Sequence, residues 1–147
     1  MLILESFQAG LSWECVLNKR EEFRTAYDNF DLEKVCSYDG SKISELLDNK
    51  KIIRNKRKIT ASVSNSKIFK SIVAEYGSFC KYLREFWDGE IIYETEKTTN
   101  NLSDTISADL YKRGMRFVGS TIIYSYLQAV GIIYSHEKEC FMHRNNN

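Results

Sequence analysis

Proline is absent from this 147-residue sequence, where roughly 5% would be usual. Proline breaks helix interiors, so its absence fits a mostly helical chain. Long apolar runs are missing too. Stretches such as Ile122-Ile123 and Gly131-Ile132-Ile133 fall far short of a bilayer span, and no membrane partner is expected. The first residues, Met1-Leu2-Ile3-Leu4-Glu5, carry no basic region and reach a carboxylate at once, unlike a secretory signal. No two cysteines have the CxxC spacing. The four present, Cys15, Cys36, Cys80 and Cys140, are widely separated, which argues against a disulfide scaffold and for a reducing, cytoplasmic setting. Net charge is nearly absent, at +1 from 21 basic and 20 acidic residues. What remains is 43% apolar and 28% charged, a balance that fits one globular domain over 1–147 rather than a disordered tail or a fibre.

The small net charge hides local clusters. Lys50, Lys51, Arg54, Lys56, Arg57 and Lys58 crowd into nine positions. Lys112, Arg113 and Arg116 bracket Gly114. Such groups can neutralise phosphates and add salt-dependent affinity for nucleic acid. A solvated helix face is the plain alternative for a lysine run.

Apolar spacing along the chain is mostly helical. Ser12 is placed to cap a helix with Trp13, Val16, Leu17, Phe23 and Tyr27 on or near one face. Asp31 can cap a short turn through Val35, and Ser41 can open a helix with Ile43, Leu46 and Leu47 inward. The pattern Ile59, Val63, Ile68, Ile72, Val73, Tyr76 predicts a long helix from about Asn55 to Tyr76, stopped by Gly77. Ser78 caps the next segment. Residues 88–102 are polar and read as a surface loop with one irregular strand at Ile91-Ile92-Tyr93. Ser103 is expected to cap a helix ending at Gly114, and Ser120–Val130 a last helix closed by Gly131. Residues 141–147 are expected to fray. The fold class is all-α.

The segment Gly114-Met115-Arg116-Phe117-Val118-Gly119 joins two of these helices. Two glycines permit positive φ and close backbone approach. The next helix starts at Ser120-Thr121, where free N–H groups offer an anion site for a DNA phosphate, with Lys112 and Arg113 alongside. The same pattern also serves as a mere tight connection between packed helices.

Taken together, five stretches carry a resemblance. They are Glu5-Ser6-Phe7-Gln8-Ala9-Gly10-Leu11-Ser12-Trp13, Ile52-Ile53-Arg54-Asn55-Lys56-Arg57-Lys58-Ile59, Lys112 through Thr121, Tyr124-Ser125-Tyr126-Leu127-Gln128-Ala129-Val130-Gly131, and His136 with Cys140. In this order and spacing the chain resembles the DNA-3-methyladenine glycosylase I family from Leu4 to Cys140. The resemblance implies an all-α, helix-hairpin-helix glycosylase-like bundle. It implies a monofunctional enzyme of base excision repair that hydrolyses the N-glycosidic bond of 3-methyladenine in alkylated double-stranded DNA, as a monomer in the cytoplasm. By position, Glu5 would recognise the base and serve as the catalytic carboxylate, Trp13 would wall the base pocket, and Leu11 would plug the gap left in the DNA. Lys112, Arg113, Gly114, Gly119, Ser120 and Thr121 would hold phosphate. His136 and Cys140 would supply two of the four ligands of a structural zinc site, with His143 a candidate third.

The chemistry suits these residue types. A glycosylase takes its base out of the stack, and a damaged base costs less to extrude. The 3-methylated adenine is cationic and leaves readily, so no strong general acid is required; Glu5 and a stacked Trp13 can favour its charge. Taken singly, Trp13 also reads as a core residue and Leu11 as merely apolar. The sequence as given lacks the family's N-terminal segment, which carries the other two zinc ligands and a pocket tyrosine. Ser135 stands where relatives often have an acidic residue. The chain therefore reads as an N-terminally truncated member that binds 3-methyladenine weakly. The second reading is a catalytically impaired or vestigial DNA-binding helical domain of the same fold.

Overall fold

The computed structural model describes residues 1–137 and 139–141. Among them are nine α-helices: α1 (Leu2–Gln8), α2 (Trp13–Leu17), α3 (Arg20–Ala26), α4 (Leu32–Cys36), α5 (Gly40–Asp48), α6 (Lys56–Tyr76), α7 (Phe79–Arg84), α8 (Asn101–Lys112) and α9 (Ser120–Ala129). A 3-10 turn (Asp28–Phe30) and two short strands, β1 (Ile92–Tyr93) and β2 (Ile133–Tyr134), complete the described elements. The all-α expectation holds in substance.

Local chemistry explains most boundaries. α6 begins where the Asn55 side chain accepts from the Lys58 N–H and ends at Gly77, which has φ +83°. Asp31 caps α4 and Ser78 caps α7, each through its side chain. Elsewhere a neighbour takes the cap. Ser12 caps α2 only, and a new helix, carrying Phe23 and Ala26, starts after Lys19. Asp39, not Ser41, caps α5 through the Lys42 N–H. Asn100, not Ser103, caps α8; Ser103 is the reciprocal partner of that capping box. The loop expected over 88–102 therefore ends at Asn100. The strand expected within it is present and pairs in parallel with β2, Ile92 opposite Ile133 and Tyr93 opposite Tyr134.

Two apolar cores form on either side of α6. The first gathers Leu4, Phe7, Val16, Phe23, Tyr27, Val35, Leu46, Ile52 and Ile59. The second gathers Ile72, Phe79, Tyr82, Leu83, Ile106, Leu110, Met115, Val118, Ile123, Tyr124, Leu127 and Ile133, among others. Ile59 and Ile72 both lie on α6, so one long helix feeds both cores. α1 packs on α6 and α9 and is thereby drawn between them.

Candidate active site

Leu4 and Phe7 anchor α1 in the first core. Between them, Glu5 is carried to the opposite side and faces a cavity of about 400 Å³. Trp13, Gln8, Ser125, Gln128, Ile133, Ser135 and His136 share its lining. Glu5 is only 2% exposed, and its Oε2 has no hydrogen-bond partner. Burying a carboxylate without a partner disfavours its charge. Desolvation raises the Glu5 pKa from 4.5 to about 7, against a smaller lowering by the N-terminal ammonium of Met1. The far wall is better satisfied: Gln128 Nε2 donates to Ser135 Oγ. Trp13 is half-buried, packing on the first core while lining the cavity. It is core and wall at once.

After α1 the chain turns at Gly10, with φ +76°. Leu11 follows, 40% exposed, with its N–H donating to Gln8 O at 2.7 Å. The structure thus presents Leu11 to solvent on a tight turn next to the pocket helix.

The connection between α8 and α9 is fixed from several sides. Gly114 adopts φ +102° and Phe117 φ +56°. Met115 and Val118 are fully buried. Ser107 Oγ donates to Val118 O at 2.8 Å. The Asn65 amide grips Arg116 doubly, donating from Nδ2 to Arg116 O at 2.7 Å and accepting the Arg116 N–H at Oδ1 at 2.9 Å. Gly119 caps α9 without a side-chain bond. The first N–H groups of α9, at Ser120 and Thr121, therefore have no capping side chain, and Thr121 is exposed.

With this geometry in view, three comparisons agree. The methyladenine glycosylase family matches residues 1–143. DNA-3-methyladenine glycosylase 1 of Escherichia coli is 34% identical, covering 99% of this chain and 81% of that protein. A Haemophilus influenzae DNA-3-methyladenine glycosylase is 31% identical over 95% of this chain and 78% of its own length. The chain belongs to the methyladenine glycosylase family. Among solved structures, a 3-methyladenine DNA glycosylase I superposes with TM-score 0.91 at 36% identity, covering 97% of this chain and 82% of that one. A Staphylococcus aureus 3-methyladenine DNA glycosylase I gives TM-score 0.91 at 30% identity, with 99% and 81% covered.

Within this family member, the sequence-derived phosphate residues do not all converge. Lys112 is exposed beside Gly114. Arg113 turns away to other partners. Its Nε donates to Asp109 Oδ2 at 2.7 Å, its Nη1 to Glu75 Oε2 at 2.7 Å, and its Nη2 to the Tyr76 hydroxyl at 3.0 Å. Two carboxylates neutralise its charge, so it is a brace for α6 and α8 and not an open cation. The cations that do gather at the turn are Lys56 and Arg57 of α6 with Arg116, all exposed, around a cleft also lined by Thr60, Ser64, Tyr111 and Phe117. The basic run at 50–58 hinted at Lys56 and Arg57. Arg116, across the cleft and 59 positions beyond Arg57, stands out in the second cluster, but sequence alone does not bring the two clusters together.

The expected metal pair meets through a turn. Cys140 Sγ lies 3.4 Å from His136 Nδ1, and Cys140 N–H donates to Glu137 O. Among the described residues no group of three or more His, Cys, Asp or Glu side chains could hold a metal ion. A tetrahedral structural zinc needs four ligands, so the described residues do not fit a closed site. His143, the candidate third ligand, lies outside them, as do residues 142–147 of the expected frayed tail. No described helix is long and apolar enough to cross a membrane.

Proposed function

We propose that this chain is a DNA-3-methyladenine glycosylase that hydrolyses the bond between a 3-methylated adenine and its deoxyribose in alkylated duplex DNA. One observation carries the reading: a buried carboxylate without a hydrogen-bond partner, Glu5, facing a cavity walled by an indole. A protein retains such an unsatisfied group where a ligand completes it. A 3-methylated adenine brings positive charge and an exocyclic amine, so it supplies both the counter-charge and the donor that Glu5 lacks. Trp13 offers a ring face for stacking and cation–π attraction.

The reaction then divides among few groups. The base leaves the stack, at a cost reduced by the lesion. Leu11 enters the space it vacates. The N-terminus of α9 and the cleft of Lys56, Arg57 and Arg116 take the phosphates of the strand, in the manner of a helix-hairpin-helix. The glycosidic bond breaks with its electron pair going to the cationic base, and water adds to the sugar carbon and gives up a proton to solvent. No general acid is required, and no step is routed through a metal. His136 and Cys140 offer two of the four ligands of a structural zinc site. The four cysteines, all unpaired thiols, fit an enzyme of a reducing compartment.

The test is base release from methylated duplex DNA under single-turnover conditions. The wild-type chain should release 3-methyladenine, and Glu5→Gln should slow release about 10²-fold, the scale of losing one preorganised electrostatic group. A chain that binds the duplex with a normal salt dependence yet releases no base is instead the vestigial DNA-binding domain.

A further inference from the structure

Lys58 sits in a basic run, but it does not share the fate of its neighbours. Lys56 and Arg57 are exposed, whereas Lys58 is 7% exposed. Its ammonium donates to Phe7 O at 2.8 Å and to Ala9 O at 2.5 Å. Those carbonyls end α1, immediately before the Gly10-Leu11 turn. The same ammonium lies 5.9 Å from the centre of the Phe117 ring, at the tip of the α8–α9 connection. Burial lowers the Lys58 pKa, a cost the protein bears at a position where an exposed lysine would be free of it.

Seven residues on, Asn65 is 5% exposed and holds both backbone groups of Arg116. A spacing of seven returns to the same face of a helix, about 10 Å along its axis. One face of α6 therefore ties down two loops: the turn that presents Leu11 and the turn that leads into the open N-terminus of α9. Neither side chain reaches the base pocket, whose lining includes neither residue.

We infer that Lys58 and Asn65 are positioning residues for the reaction on DNA, which from one face of α6 set the Leu11 turn and the α9 phosphate site at a fixed mutual distance. The inference rests on the glycosylase reading. A plug and a phosphate grip must meet one strand across a single extruded nucleotide, and a displacement of about 1 Å is enough to cost about 10²-fold in rate. Helix α6, fed by both cores, is the stiffest ruler available between them.

The experiment separates pocket from ruler. Lys58→Met keeps the apolar stem and removes the two donors. Asn65→Asp keeps the acceptor for Arg116 N–H and sets an acceptor against Arg116 O in place of the donor, an independent change that covers the case where Lys58→Met fails to fold. Free 3-methyladenine binding, followed by Trp13 fluorescence in a Trp87→Phe background, reads the pocket alone; single-turnover release from methylated duplex reads the whole constellation. The expected result is affinity for the free base within twofold of wild type, with release slowed at least tenfold in each variant. KM for duplex should rise less than kcat falls, and Lys58→Arg should restore part of the rate. Loss of free-base binding in step with melting temperature would make both residues merely structural and overturn the inference. So would unchanged release. A wild-type chain that releases no base overturns the glycosylase reading and this inference with it; an impaired variant beside an active wild type speaks for the inference alone.

Discussion

The base pocket and the α8–α9 connection are built on opposite electrostatic terms. In the pocket a carboxylate is buried without a partner, and its pKa climbs to about 7. At the connection nearly every polar group is tied: Arg113 to Asp109, Glu75 and Tyr76, Tyr82 to Asp109 at 2.8 Å, Ser107 to Val118 and Asn65 to Arg116. Ion pairing with Arg113 holds the Glu75 carboxyl below its usual range. The pocket end thus stores an unmet demand, which under the proposed function a cationic base would satisfy. The hairpin end is tied from several sides, which keeps the open helix N-terminus aimed. Under the proposed function, specificity would belong to the first region and register to the second.

The contrast has its largest consequence in the pH dependence of stability. Native Glu5 titrates near 7, above its ordinary 4.5, so the folded chain holds this proton more tightly than the unfolded chain. The favourable contribution is complete below about pH 4.5 and is lost as pH rises toward 7, a difference of about 3 kcal/mol at most. Glu5→Gln cannot titrate. Urea denaturation of both proteins from pH 4 to 8 should show the variant gaining on wild type across that window and then running parallel. A constant difference would mean that water already satisfies Glu5, and the two regions would not differ as described.

The opposite sign is expected at the hairpin. Arg113→Ala removes the donor held by Asp109 and the cation packed 5.4 Å from the centre of the Tyr82 ring. It should cost about 2 kcal/mol of stability, the scale for a hydrogen bond to a charged group. Because carboxylates already neutralise Arg113, the slope of DNA affinity against salt should not change. A fall in that slope would return Arg113 to the phosphate site that its spacing in sequence suggested.

That reassignment shows what was legible in sequence. Asn55 and Gly77 marked α6 because a cap and a left-handed stop are local. Glu5, Trp13 and Leu11 stand out through their block, and the structure sets the first two around one cavity. The partners that tie down Arg113 are not legible in sequence, because one of them, Glu75, lies 38 residues away. Lys58 looked like any lysine of its run; its burial follows from sharing a face with Ser62 and Asn65, which only the packing of α1 and the hairpin turn reveals. The β1–β2 pair was half seen, since Ile92 was visible as a strand but its partner Ile133 is 41 positions distant. The caps expected at Ser41 and Ser103 fall two and three residues late, among equally good polar candidates: Asp39 and Asn100 hold those positions.

The smallest effect sharpens the comparison most. α6 opens with Lys56, Arg57 and Lys58, with no acidic residue in its first turn. Cations at a helix N-terminus oppose the macrodipole and cost about 0.3–1 kcal/mol each at exposed sites. Lys58 offsets that cost through the carbonyls of α1. Lys56 has no such local compensation, and it borders the cleft that Arg116 closes. Its charge is retained against stability, as expected where a phosphate is the partner. Lys56→Ala should therefore stabilise the free protein by a few tenths of a kcal/mol, from helix propensity and the dipole together. The same change should lower the slope of log affinity for duplex DNA against log salt by about 0.9, one phosphate contact. Release of base from DNA held at saturation should not change, because Lys56 touches neither pocket nor plug. Denaturant titration and binding at several salt concentrations measure the two terms. A destabilised Lys56→Ala with an unchanged slope would place this residue with Arg113, among the braces, and leave the cleft without its phosphate.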